Sequence, residues 1–446
     1  MSLRLSDLSA CFEGVIPSII ATASADGAPN ISYLSHVVRV DGEHVALSNQ
    51  FFAKTAANVR ANPKVTLMLV DGLTGDQFLL DISFVRSIDA GPLFDRIAGQ
   101  LAASSAQVGM SDVMRLRSAD VFRVRGIEKV PSPVAATAPA PRRAPVDLPA
   151  LADAIRAIGR QAEAGAIIDS LLCGVQQVLG YANALVLIHD SHRQSLITTG
   201  SIGYENSGLG SEIVSAGGMI GAAAASGQTI KVSDMSRVRR FGEAIGLEAG
   251  ATENTTRTVV FPQLPMAMSQ IAVPMVTRGV VAGVLFIEST ERLAFSEEDA
   301  AALDILAGQA ANALRASEGE AAAAEAGHAT ATPEPAATET DIRIVCHRFD
   351  DSVFVDGVYI VKGVAGALLR LMIEWRLGEG RSEFTNREMR LAAGARMPEI
   401  KDNLETRLLL LRRRLDEKQA PIRVVRIGRG RVRLEAGGPL ALTVRD

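Results

Sequence analysis

The rhythm of apolar and polar positions changes twice along the chain. Up to about Val130 it is the rhythm of short strands. VIPSIIATASADG is apolar and β-branched and ends at Asp26-Gly27, a turn signal. PNISYLSHVVRV runs to Asp41-Gly42, and HVALSNQ follows. This predicts an antiparallel meander joined by tight turns. KTAANVRANP predicts a short helix stopped by Asn62-Pro63. KVTLMLVD and DQFLLDISFVRSID predict strands, PLFDRIAGQLAASS a helix, and DVFRVRGIEKV a last strand. Strands this short and this closely spaced predict a closed barrel.

A second rhythm covers residues 150–316. One long helix is predicted over ALADAIRAIGRQAEAGAIIDSLLCGVQQVLG, then strands at NALVLIHD and QSLITTGSIG. MSQIAVPMVTRGVVAGVLFIES predicts a hairpin turning at Arg278-Gly279. Ser296-Glu297-Glu298-Asp299 opens a final helix, with Ser296 as its cap and the acids favoured by the helix dipole. The order is that of an α+β sheet domain. Residues 341–446 read as strands, then helices at GVAGALLRLMIEWRLG, TNREMRLA and EIKDNLETRLLLLRRRLDEK, then a hairpin folded about Gly428-Arg429-Gly430. Between the modules lie a Pro/Ala linker, 131–149, and a low-complexity acidic linker, 317–340. Neither carries enough apolar surface to offset the entropy of ordering.

Composition sharpens this division. With 446 residues, two to four domains are expected. Residues 342–446 hold 21 Lys and Arg against 14 Asp and Glu, or +7, so the rest of a chain of net charge −4 carries −11. A basic partner-binding end on an acidic body is expected. Cys11, Cys173 and Cys346 fall one to a module with no CxxC pair, which predicts neither disulfide framework nor zinc site. Cys173 reads as a small buried core residue. No signal peptide and no apolar run of about 18 residues is seen, so a cytoplasmic protein without a membrane span is expected.

The first module carries candidate chemistry at Ser48–Pro63, SNQFFAKTAANVRANP. Hydroxyls, an ammonium and backbone N–H groups at a strand end and helix start make a phosphate cradle. The same segment also reads as a solvated lysine beside a helix cap. Residues 8–130 resemble the pyridoxamine-5′-phosphate-oxidase-like split-barrel family. The resemblance rests on ASADGAPNISY, LSNQFFAKTAANVRANP and VTLMLVDGLTGDQFLLDISFVRSID. It implies FMN bound at a homodimer interface, with phosphate ligands at Ser48, Lys54 and Thr55. It also implies a flavin-facing strand at Asn30–Ser35, including Asn30 and Ser32, and a flavin contact at Gln77. Some relatives hold haem or a deazaflavin instead, and a barrel that holds no cofactor is the remaining alternative. The paired basic residues of the family's oxidases are reduced here to Lys54 followed by Thr55, and the substrate-holding arginines have no clear match. The resemblance therefore implies flavin binding more than oxidase activity. His36 reads as a structural donor.

Residues 150–316 resemble a GAF domain, on AGGMIGAAAASGQTIKVSDMSRVRRF and MSQIAVPMVTRGVVAGVLFIESTERLAFSEEDAAALDILAGQAANAL. The resemblance implies a sensory or dimerisation unit with an unspecified small-molecule ligand. His189 and His192 bracket a turn at metal-like spacing, and a solvated turn is the expected reading.

The third module concentrates positive charge. From Arg412 to Arg433 there are nine basic and two acidic residues. Such density along a helix and a hairpin is the footprint of a phosphate-backbone binder, and equally of a docking site for an acidic partner, including this chain's own body. The segment resembles the winged-helix effector domain of response regulators, through VFVDGVYIV, the LLRRRLDE stretch and the wing IRVVRIGRGRVRL. The resemblance implies DNA binding by Lys401, Asn403, Arg407, Arg412, Arg413 and Arg414 on the recognition helix, and by Arg426, Arg429 and Arg431 on the wing. No receiver domain precedes it. The expected fold is a multidomain α+β chain of split β-barrel, GAF-like domain and winged helix. The expected function is a one-component transcriptional regulator, the alternative an FMN-dependent oxidoreductase. No catalytic residue stands out.

Overall fold

The computed structural model describes residues 3–34, 36–49, 53–107, 115–131, 145–190, 194–214, 218–236, 257–324, 341–394 and 404–445. The first module opens with a 3-10 segment, Leu5–Glu13, that buries Leu5, Leu8 and Cys11. Strands β1 (Ser18–Ala23), β2 (Pro29–Leu34), β3 (Val37–Arg39) and β4 (His44–Asn49) precede helix α1 (Ala53–Ala61). Then come β5 (Lys64–Val70), β6 (Gln77–Ile88), α2 (Pro92–Gln107) and β7 (Ser118–Lys129). They form one antiparallel sheet in the order β2-β1-β5-β6-β7-β4-β3. Alternation along the strands puts Ile20, Leu67, Leu69, Leu80, Ile82 and Phe122 into one core. Among the described residues β2 and β3 have no ladder between them. The sheet is a half-barrel with two edges rather than the closed barrel expected from strand spacing.

The second module has three layers. Its sheet runs β10 (Glu212–Val214), β9 (Ser195–Ile202), β8 (Asn183–Asp190), β13 (Val280–Ser289), β12 (Ser269–Thr277), β11 (Ile230–Val232). Helices α3 (Leu148–Gly159), α4 (Ala164–Leu179) and α6 (Glu297–Ala324) bury one face. Helix α5 (Gly218–Ser226) and Phe261 bury the other. The single long helix expected at 150–180 is two, α3 and α4, with Glu163 as the N-cap residue of the second. Cys173 is exposed, not buried: the apolar stripe of α4 is Ile167, Ile168, Leu171, Leu172 and Val175, and position 173 falls on the other side. Ser296 and Asp299 cap α6 reciprocally, Asp299 N–H donating to Ser296 Oγ at 3.0 Å and Ser296 N–H to Asp299 Oδ2 at 2.9 Å. α6 continues to Ala324, eight residues into the low-complexity stretch, where SEGEAAAA is rich in strong helix formers.

The third module begins with β14 (Ile342–His347), β15 (Ser352–Val355) and β16 (Val358–Val361). Helix α7 (Gly363–Glu379), strand β17 (Glu383–Thr385) and helices α8 (Asn386–Gly394) and α9 (Leu404–Glu417) follow. The hairpin is β18 (Ile422–Gly428) and β19 (Arg431–Ala436), and β20 (Leu440–Arg445) is the last described strand. β20 returns to pair in parallel with β14, giving the sheet β16-β15-β14-β20. β17 joins the hairpin as β17-β19-β18. Leu368, Leu369, Met372, Phe384, Leu408, Leu411 and Leu434 form the core between them.

Candidate functional sites: a barrel cavity and a docked basic helix

Helix α1 packs against β1 and β2, and its head shares a cavity with the end of β4. Period-2 alternation turns Asn30 and Ser32 of β2 inward, and Ile31 and Tyr33 outward to 69% and 71% exposure. Thr55, buried in the first turn of α1, meets both inward residues. Asn30 Nδ2 donates to Thr55 Oγ1 at 3.0 Å, and the Ser32 and Thr55 hydroxyls lie 2.9 Å apart. Asn58, one turn on, donates to Thr22 Oγ1 at 3.1 Å. Ser48, Asn49, Thr55, Ala56 and Asp120 line one shallow cavity there, over Ile20 and Phe122.

The expected cofactor residues divide in three. Asn30, Ser32, Ser48 and Thr55 come together. Lys54 is exposed beside them on α1, its charge helping to hold the Asp26 carboxyl low behind the larger effect of the Ser24 hydroxyl and backbone donors. Gln77 does not join them within one chain. It starts β6 opposite Val70, whereas Ser32 is in line with Ile20, Leu67 and Leu80. Residue 35 lies outside the described residues. Ser48 has a backbone duty: His36 N–H donates to its Oγ at 3.2 Å. Burial alone holds the His36 imidazole down to about 4, so it stays neutral near pH 7.

Asp120 was not foreseen in this cavity. Its carboxylate accepts from Asn49 Nδ2 at 3.1 Å, Ser87 Oγ at 2.6 Å and Ser118 Oγ at 3.1 Å. Its signal in the sequence, one acid in the strand DVFRVRG, is indistinguishable from a solvated strand residue. The donor set suits a phosphate monoester, with two hydroxyls, a side-chain amide and the end of α1. Asp120 opposes the charge that Lys54 attracts.

The basic module meets the second module along α9, and its arginines turn inward. Arg407 and Asp190 pair at 3.2 Å, each with 6% of its side chain exposed. Arg413 donates to Thr199 O at 2.6 Å and to Asp169 Oδ1 at 2.5 Å. Arg414 serves its own module, donating to Ile360 O at 2.9 Å and to Glu417 at 2.8 Å, with its guanidinium 6.0 Å from the Tyr359 ring centre. On the hairpin, Arg426 pairs with Glu405 at 3.3 Å and Glu163 at 3.6 Å, and Arg431 with Glu383 at 3.0 Å. Arg412 is half-buried, and Arg429 is exposed at the hairpin tip. Lys401 and Asn403 lie outside the described residues.

The barrel is also joined to the second module. Lys231 Nζ donates to Glu13 Oε1 at 2.6 Å and to Phe295 O at 3.1 Å, and Ser233 Oγ donates to Glu13 Oε2 at 2.6 Å. The Gln100 amide brackets the Lys231 backbone, its carbonyl accepting from Lys231 N–H at 3.2 Å and its NH2 donating to Lys231 O. His189 is held below its usual range, first by burial and then by the Arg407 charge. His192 is outside the described residues. Among the described residues no group of three His, Cys, Asp or Glu side chains is placed to hold a metal, and no helix is long and apolar enough to cross a membrane.

Comparison with known proteins agrees with two of the three modules. The family model for pyridoxamine 5′-phosphate oxidase matches residues 7–125, and that for the GAF domain matches residues 163–314. The chain thus joins an oxidase-like N-terminal domain to a GAF domain. Among solved structures it is similar to an FMN-binding protein from Syntrophomonas wolfei subsp. wolfei, at 18% identity over 28% of this chain and 86% of that one, with a TM-score of 0.25. It is similar to the GAF domain of an Acinetobacter phosphoenolpyruvate-protein phosphotransferase, at 18% identity over 41% and 97%, with a TM-score of 0.32. It is also similar to a free methionine-R-sulfoxide reductase from Neisseria meningitidis, in complex with its substrate, at 20% identity over 38% and 89%, with a TM-score of 0.30. No curated protein matches the chain.

Proposed function

We propose that the chain is a cytoplasmic regulator. It senses redox state or a small ligand through a flavin-type barrel and the GAF domain, and it binds DNA with its C-terminal module. The observation that carries this reading is the position of the GAF domain, which holds both neighbours through buried side chains. Lys231 grips Glu13 of the barrel on one side, and Asp190 grips Arg407 of the basic module on the other. A ligand that favours one arrangement of these contacts over another would shift both neighbours together.

Four features support the parts of this reading. Thr55, Ser48 and the end of α1 supply phosphate donors, and Lys54 the charge, for FMN or a deazaflavin. Such a flavin supplies reversible electron acceptance. Haem is the cofactor class the cavity favours least, since hydroxyl and amide donors suit an anion better than an iron. Ile31 and Tyr33 offer an apolar outer face for a second copy, as a homodimer of barrels requires. In the third module the order helix, strand, helix, helix, hairpin, with β17 paired to the hairpin and Arg429 exposed at its tip, supports the winged-helix reading.

The test is to purify the full chain, record its visible spectrum, and measure its binding to duplex DNA as salt is raised. The reading predicts a flavin spectrum without substrate turnover. It also predicts affinity falling with salt at a log–log slope of about −0.9 for each phosphate neutralised. Steady turnover with a reductant and no DNA binding would establish the oxidoreductase alternative. A colourless protein with no DNA affinity at low salt would remove both.

A further inference from the structure

Helix α9 is covered on nearly every side. At 100° per residue its positions sort into strips. Leu404, Leu408, Leu411 and Leu415 fall in one strip and enter the core of their own module. Leu409 and Arg413 lie opposite and meet the GAF domain. Leu409 is 7% exposed and belongs to the GAF core, while Ile197 of the GAF strand β9 belongs to the core of the third module. The two modules thus exchange one apolar side chain each. The remaining strip holds Glu405, itself taken by Arg426 and Asn386, half-buried Arg412 and exposed Asp416, two acids to one base. That strip cannot be the one that enters a DNA groove.

The arginines that could are taken by the GAF domain, on two sides of the helix. Asp169 and the carbonyls of Thr199 and Gly165 receive Arg413, and Asp190 receives Arg407. Carboxylates and carbonyls stand where phosphate oxygens would stand on DNA. The GAF surface is cut to fit. A Cβ at Gly165 would lie 2.9 Å from Leu409 Cδ1, and the three atoms nearest to it all belong to α9.

We infer that this docking is an autoinhibitory latch, in which the GAF domain covers Arg407 and Arg413 of α9 and must release them before DNA can bind. The inference rests on the DNA-binding reading above. A chain whose competent state is a small fraction of the population binds more weakly by that fraction. Loosening the latch therefore raises DNA affinity without any new DNA contact.

The test uses the full chain and three variants on one duplex fragment at one low salt concentration. Opening is read independently by hydrogen exchange at the amides of β9 and α9. Gly165→Leu places a side chain in the path of Leu409. Asp169→Lys opposes Arg413 from a carboxylate that is 67% exposed, so it leaves folding intact if the first variant does not. Asp153→Lys makes the same charge change at a surface position of α3, 74% exposed and away from α9. The latch predicts faster exchange in β9 and α9 and about tenfold tighter DNA binding for Gly165→Leu. It predicts a smaller gain of the same kind for Asp169→Lys, and none beyond wild type for Asp153→Lys. Faster exchange with wild-type DNA affinity overturns the latch and leaves the DNA reading standing. Unchanged exchange in both contact variants, or an equal gain from Asp153→Lys, overturns it too. Faster exchange with no DNA binding by any protein overturns the DNA reading, and the latch with it.

Discussion

The barrel cavity and helix α9 were marked by the same kind of signal, polar groups gathered at a helix, and they meet opposite fates. At α1 the buried hydroxyls of Ser48 and Thr55, bonded to His36 N–H and to Asn30 and Ser32, line a shallow cavity, while the charge of Lys54 stays in solvent beside it. At α9 the guanidinium groups of Arg407, Arg413 and Arg414 are spent within the chain, on Asp190, Asp169, Glu417 and backbone carbonyls. Residue type and spacing say what a group is able to bind. Burial says what it has already bound. An arginine that is 5% exposed and faces a carboxylate satisfies its charge internally, whatever the density of bases around it.

The largest effect that would break this contrast is at Asp190. Asp190→Ala leaves Arg407 buried without its carboxylate and should destabilise the chain by about 3–5 kcal/mol in denaturant unfolding. Asp169→Ala, at an exposed carboxylate, should cost about 1 kcal/mol or less. Equal small losses would mean that α9 is not held in a dry interface. Next is the imidazole of His36. Its folded value, about 4, lies below the ordinary 6.5, so the unfolded chain takes up the proton first as pH falls. Stability is full above pH 6.5 and declines toward pH 4, by roughly 2–3 kcal/mol at the lower limit. His36→Gln should flatten that slope in pH-dependent thermal unfolding, and an unchanged slope would refute the assignment. The smallest effects are in the cavity. Lys54→Ala should weaken retention of FMN, read by equilibrium dialysis, and Asp120→Asn should strengthen it, each by up to about tenfold. Opposite signs or no change in both would remove the phosphate from this cavity.

Much of the fold was legible because it depends on local rules. Asp26-Gly27 sits in the β1–β2 turn with Gly27 at φ 85°, and Asn62-Pro63 follows α1 directly. Ser296 caps α6 as its position before three acids foretold, and Thr385 stands before α8 in a reciprocal cap with Glu388. The misses involve contacts distant in sequence. Whether β2 meets β3 depends on a ladder that strand spacing does not encode. Asp120 reaches the cavity from β7, 65 residues beyond Thr55. The docking of α9 joins residues about 240 apart, such as Asp169 and Arg413. One trace in the sequence is the glycine at 165, where the helix pattern shows no reason for a glycine. The charge asymmetry did announce an acidic body that could receive a basic end. It could not say which arginines would go there.

Arginine labelling of the intact chain by a guanidine-reactive reagent, read residue by residue by mass spectrometry, tests the docked arrangement most directly. The account predicts early modification of Arg423 and Arg429, which are exposed on the hairpin, while Arg407, Arg413 and Arg414 stay protected until the chain is opened. Modification of Arg407 and Arg413 at the rate of Arg429 would contradict it.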